Sequence, residues 1–114
     1  MSNRSPELLI EDILASAQKI QRYTAGMSFE EFTLDEKTAD AVARSFEIIG
    51  EAANRLPEDF KNQYSNIDWD RIRGFRNRIV HDYFGIDYSI VWNIIERYLP
   101  ALVLDLSTLA DPDA

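Results

Sequence analysis

Apolar residues return along most of this 114-residue chain at intervals of three and four, the period of helices that each bury one face. Leu9, Ile13, Ala17, Ile20 and Thr24 make the first series. Ser5-Pro6-Glu7 ahead of them reads as a helix start, with serine as N-cap, proline at the first helical position and an acid in the first turn. The pattern predicts helix one to about Tyr23. Ser28-Phe29-Glu30-Glu31 matches a capping box and opens a short helical turn. Asp35 is placed to cap a second long helix, whose apolar face is Ala39, Val42, Ala43, Phe46, Ile49, Ala53 and Leu56. Pro57 ends that helix, because proline disfavours the helical conformation of the residue before it.

Pro57-Glu58-Asp59-Phe60 restarts a short helix that gives out around Tyr64-Ser65-Asn66. Asp68 can cap the next one, which carries Ile72, Phe75, Ile79 and Val80 towards His81. Gly85 allows a turn and Asp87 caps the last helix, with Val91, Ile94, Ile95, Tyr98, Leu102, Val103 and Leu106 on its face. Pro100 inside that helix should kink or divide it. The tail from Ala110 to Ala114 is expected to fray.

No stretch alternates apolar and polar over six or more residues, so strands have little support. The expected fold is all-α, a compact up-and-down bundle of four or five helices in a single domain over residues 1–114. Ile10, Ile48, Ile90 and Trp92 stand outside a single stripe and suggest a second buried surface, which a homodimer would cover.

Composition narrows the chemistry. A chain of this length buries roughly two-thirds of its unfolded surface, enough for one core. It has no cysteine, which removes disulfides, thiolate nucleophiles and cysteine-based metal sites. A single histidine removes any metal site that needs two imidazoles from one chain. There is no calcium loop of the D-x-[DN]-x-[DN]-G type and no glycine-rich phosphate loop, and only four glycines occur in all. Neither a cleavable leader nor an apolar run of ~18 residues is present, so a cytoplasmic protein with no membrane association is expected.

The net charge of −8 argues at first against nucleic acid as a partner. Its distribution argues otherwise. Arg71, Arg73, Arg76 and Arg78 are four of the twelve basic residues, and no acid falls between Asp70 and Asp82. All four are arginine, the side chain suited to bidentate phosphate contact.

His81 is the one side chain whose ordinary pKa lies near neutrality, so acid–base work falls on it first. Arginine stays charged and can stabilise a phosphorane-like transition state. Together they suffice to cleave RNA without metal. The base takes the 2′-hydroxyl proton, that oxygen attacks the adjacent phosphorus, and the cation holds the non-bridging oxygens. A 2′,3′-cyclic phosphate results, and DNA is inert for want of the 2′-hydroxyl. No metal and no cofactor is called for.

Arg76…His81-Asp82-Tyr83 resembles the R-x4–6-H signature of HEPN domains, and more narrowly the R-x4-H-x-Y form of HepT toxins. The flanks are similar too. Phe46-Glu47-Ile48-Ile49-Gly50-Glu51-Ala52 resembles the family's second-helix core. The stretches Trp69 to Asn77 and His81 to Asp87 resemble its centre, and Leu99-Pro100 its final helix. The resemblance implies an all-α dimer whose two motifs line an interfacial cleft that cuts RNA, within a type VII-like toxin–antitoxin pair. It implies a cognate antitoxin of minimal nucleotidyltransferase fold that transfers AMP from ATP to the motif tyrosine, here Tyr83. Bulk and negative charge there would keep RNA phosphate from docking beside the arginines.

Spacing complicates the pairing of Arg76 with His81. At ~100° per residue the two are ~140° apart on a straight helix, whereas Arg78 and His81 share a face. Either the helix ends or bends before His81, or the cleft is composite at a dimer interface. The resemblance favours Arg76 and the spacing favours Arg78. Asn77 could orient His81 or bind phosphate, and Arg71 and Arg73 could steer RNA or an acidic partner. Gly50 and Glu51 suit a helix crossing, and Trp69 and Trp92 suit packing. A second functional reading is a non-catalytic subunit that presents substrate or nucleotide to a nucleotidyltransferase. A third is a purely structural helical dimer.

Overall fold

The caps read from the sequence close on backbone amides. A computed structural model describes residues 4–79 and 87–110, with side chains through 75 in the first stretch and 109 in the second. Seven helices lie among the described residues: α1 (Pro6–Thr24), α2 (Phe29–Leu34), α3 (Glu36–Arg55), α4 (Glu58–Gln63), α5 (Trp69–Ile79), α6 (Tyr88–Arg97) and α7 (Leu99–Ala110). The Ser5 hydroxyl accepts from the Leu8 N–H at 3.3 Å, with Pro6 in the first turn of α1. Ser28 and Glu31 form the reciprocal capping box, at 3.1 and 2.8 Å. Asp35 accepts from the Thr38 N–H at 3.0 Å, and Asp87 from those of Ser89 and Ile90. Each cap satisfies donors that the helix leaves without partners.

The count of four or five rises to seven for two physical reasons. The capping box and Pro57 each start a helix of six residues, α2 and α4. The last helix is divided outright. Proline at 100 removes the N–H that would bond the carbonyl of residue 96, and its ring crowds that carbonyl. The division falls at Tyr98, whose own N–H still reaches the Ile94 carbonyl at 3.0 Å. Pro100 then occupies the second position of α7, where its missing donor has no helical partner to lose.

α1 packs on α3 and α7, α3 on α5, and α5 on α6, so the long elements close a ring around one core. Ile13, Ala17, Ile20, Val42, Phe46, Ile49, Phe75, Val91, Ile94, Leu99 and Leu106 are all buried in it. Fully burying a side chain of this kind stabilises by about 1.5–3 kcal/mol. Every buried side-chain polar atom among the described residues has a partner; the Thr24 hydroxyl, for example, donates to the Ile20 carbonyl at 2.8 Å. Gly26, at φ +77, makes the turn out of α1.

The surplus apolar positions divide differently from the expectation. Ile10 belongs to the core of its own chain, being 2% exposed. Trp92 packs on Phe32 at a ring separation of 5.1 Å. Ile48 and Ile90 are half-buried. The most exposed large apolar side chains among the described residues are Leu34 and Leu104. No helix among them is long and apolar enough to cross a membrane. The turn expected at Gly85 lies outside the described residues, as does the tail expected to fray except for Ala110, which ends α7.

Candidate functional site

The arginine-bearing helix is held at its start and middle. The Asp68 carboxylate accepts from the Arg71 N–H at 3.0 Å. The Trp69 indole N–H reaches the carbonyls of Lys61 and Tyr64, at 3.2 and 3.1 Å, which ties the end of α4 to the first turn of α5. Trp69, Ile72 and Phe75 are buried at helical spacing. Phe75 meets Phe46 of α3 edge-on, ring centroids 5.5 Å apart. These contacts fix the rotation of α5 about its axis.

The backbone of Arg76, Asn77 and Arg78 continues α5 as far as Ile79. At 100° per residue, position 76 falls in register with Ile72, one turn earlier, and position 78 with Arg71, two turns earlier. Their side chains, together with His81 and Tyr83, lie outside the described residues.

Arg71 and Arg73 are described in full and sit in different surroundings. Arg73 donates to Asp70 at 2.8 Å, an exposed pair one turn apart. Arg71 lies 3.8 Å from the Asp68 carboxylate, and its guanidinium carbon is 4.3 Å above the Tyr98 ring. The arginine island is therefore partly offset by acids that precede it in the chain. Exposed pairs of this kind contribute about 0–1 kcal/mol, so a phosphate can exchange for either carboxylate at little cost.

Between α5 and the α6–α7 joint lies a cleft of about 190 Å³, with Ile72, Phe75 and Leu102 towards its floor and Arg71, Arg97 and Tyr98 along its sides. Arg97 forms no ion pair or hydrogen bond among the described residues. The sequence pattern places Tyr98 on the apolar face of the last helix and gives Arg97 no role. Arg97 and Tyr98 precede Pro100, and the division that proline imposes is the one signal that could have drawn attention to them. Glu51 points to Arg55 on the surface of α3 at 4.0 Å, while Gly50 is buried in that helix. Trp69 and Trp92 pack, as their surroundings in the sequence suggest.

Residues 13–109 match the family model described as "Ribonuclease HepT-like". The chain is 41% identical over 100 residues to "Putative RNase MJ0127" of Methanocaldococcus jannaschii, covering 88% of this chain and 83% of that protein. It is 37% identical over 99 residues to "Probable ribonuclease HepT" of Thermococcus cleftensis, covering 87% and 90%. No solved structure gives a significant match. The matched span runs through α5 and the whole motif from Arg76 to Tyr83, and the all-helical ring is the architecture expected of it. The chain belongs to the HepT-like ribonuclease family.

Proposed function

We propose that the protein is a metal-independent endoribonuclease toxin, acting as a homodimer in the cytoplasm and held in check by a minimal nucleotidyltransferase antitoxin. The observation that carries this reading is the match to the HepT-like model across residues 13–109, which encloses an intact Arg76…His81-Asp82-Tyr83. In this reading His81 takes the 2′-hydroxyl proton and the freed oxygen bonds to the neighbouring phosphorus. The phosphorus–5′-oxygen bond breaks as the departing 5′-oxygen takes up a proton from water or from the protonated His81. Arg76, or Arg78 in its place, holds the non-bridging oxygens as charge develops on them. Asn77 assists by orienting His81 or the phosphate. Arg71 and Arg73 draw RNA towards the cleft, and AMP on Tyr83 closes it to phosphate by bulk and charge.

Purified protein is incubated with single-stranded RNA in excess EDTA, beside its His81→Ala variant. Cleavage by the first alone, leaving 2′,3′-cyclic ends, is the expected result. Intact RNA in both would end the ribonuclease reading. Co-expression with the adjacent open reading frame tests the pairing: relief of growth arrest should accompany a mass gain of AMP units on Tyr83.

A further inference from the structure

Arg71 stands on one wall of the α5–α7 cleft with its guanidinium over the Tyr98 ring, and its side chain is 44% exposed. A guanidinium held over an aromatic ring is a plane on which an unpaired base can stack, and stacking of this kind is indifferent to base identity. The cleft volume of about 190 Å³ falls below the ~300 Å³ at which ordinary small-molecule sites begin, so it suits one ring system rather than a whole cofactor. Arg97, beside Tyr98 in the chain and also lining the cleft, is a cation without an ion-pair partner among the described residues. Asp105, one turn beyond Ala101 on α7, adds an acceptor for an exocyclic amino group. Ile72, Phe75 and Leu102, all buried, give the cleft an apolar lining that a base can pack against.

We propose that this cleft seats one unpaired base of the RNA, stacked on the Arg71–Tyr98 pair, with the adjoining phosphate on Arg97. The assignment rests on the ribonuclease reading for its choice of ligand and extends it to a subsite built from residues outside the motif. Arg71 and position 76 are five residues apart on α5, roughly 7–8 Å along its axis. RNA held in the seat therefore lies beside the helix that carries position 76. The seat selects single-stranded over duplex RNA, because a paired base offers no free face.

The test measures binding apart from cleavage. A labelled single-stranded RNA decamer is titrated into His81→Ala protein, and into the same protein carrying Tyr98→Leu, Arg97→Ala or Ala101→Glu. Tyr98→Leu should weaken binding roughly tenfold, the effect of losing one stacked base. Arg97→Ala should weaken it and reduce the salt slope by about one phosphate contact. Ala101→Glu brings a negative charge to the cleft at an exposed helical position, so it reports on the seat even if Tyr98→Leu fails to fold. All three variants binding RNA within about twofold of the parent would overturn the seat. So would unchanged RNA binding coupled to loss of dimer in sedimentation, which would make the occupant a second copy. Wild-type protein that binds RNA through the cleft but never cuts it would remove the ribonuclease reading and leave the seat standing.

Discussion

The guanidinium of Arg71, in the first turn of α5, lies 4.3 Å above the ring of Tyr98, the residue at which the last helix divides. One contact thus links the cap of the arginine helix to the break imposed by Pro100. A cation–π contact in a partly exposed setting contributes about 0.5–1 kcal/mol. A double-mutant cycle with Arg71→Ala and Tyr98→Leu, read by urea unfolding, should return a coupling of that size. Strict additivity would mean that the two side chains are adjacent without stabilising one another.

Trp69→Phe keeps the ring but deletes the indole N–H shared by the Lys61 and Tyr64 carbonyls. The Lys61 and Tyr64 carbonyls keep the backbone N–H donors of Tyr64 and Ile67, at 3.2 and 3.1 Å, and lose only the bond to the indole. The cost should be about 0.5–1.5 kcal/mol, the net contribution of a hydrogen bond whose acceptors keep another donor. Chemical unfolding of the variant measures it, and a change of a few tenths would mean that water replaces the indole.

Helix boundaries were legible because they are set by local chemistry. Ser5, Ser28, Asp35, Asp68 and Asp87 each cap the helix they precede, and the signal sits within four residues of the effect. What was not legible depends on partners distant in sequence. Ile10 looked surplus on a one-stripe helix, yet α1 is covered from two sides by α3 and α7, so a wider arc is buried. The cleft beside Arg71 escaped for the same reason: it exists only where α5 meets the α6–α7 joint. The motif itself was legible by resemblance. Spacing alone left Arg76 and Arg78 in competition, since a helical phase cannot say how a segment beyond the helix turns.

Gly74 lies within α5, and a methyl group added there meets nothing within 4 Å. Glycine inside a helix costs roughly 0.5–1 kcal/mol relative to alanine, through the entropy of the unfolded chain. Gly74→Ala should raise the melting temperature by a few degrees. A fall instead would show that the position is needed for an approach made only in an assembly.

Asp35 gives the acid limb of the stability curve a definite sign. Its carboxylate accepts from the Thr38 N–H at 3.0 Å and from the Thr38 hydroxyl at 2.8 Å. These bonds hold its pKa below the ordinary 3.8. A carboxylate depressed in the folded state stabilises fully above its unfolded pKa, and loses that contribution as pH falls through the lowered value. Asp35→Asn retains a cap but cannot ionise. Melting temperatures of the two proteins should differ at neutral pH and converge as the solution is made more acid. A gap that stays constant with pH would assign the cap no electrostatic component.

The competition between Arg76 and Arg78 and the question of a composite cleft can be decided together. The arginine that holds the scissile phosphate should cost about 10²–10³ in kcat when changed to alanine, whereas one that only attracts RNA should raise KM and flatten the salt dependence. Arg76→Ala is expected to behave in the first way and Arg78→Ala in the second. If Arg76 of one subunit serves His81 of its partner, two inactive proteins can repair each other. Equal amounts of Arg76→Ala and His81→Ala, unfolded and refolded together, would place both intact groups in one of the two clefts of each mixed dimer. Half the dimers are mixed, so about a quarter of wild-type activity should return. If each cleft draws both groups from one chain, every cleft in the mixture lacks a partner and no activity returns. The ~140° separation of positions 76 and 81 on a straight helix makes the first outcome the expected one. A silent mixture would require the chain to turn between Ile79 and His81.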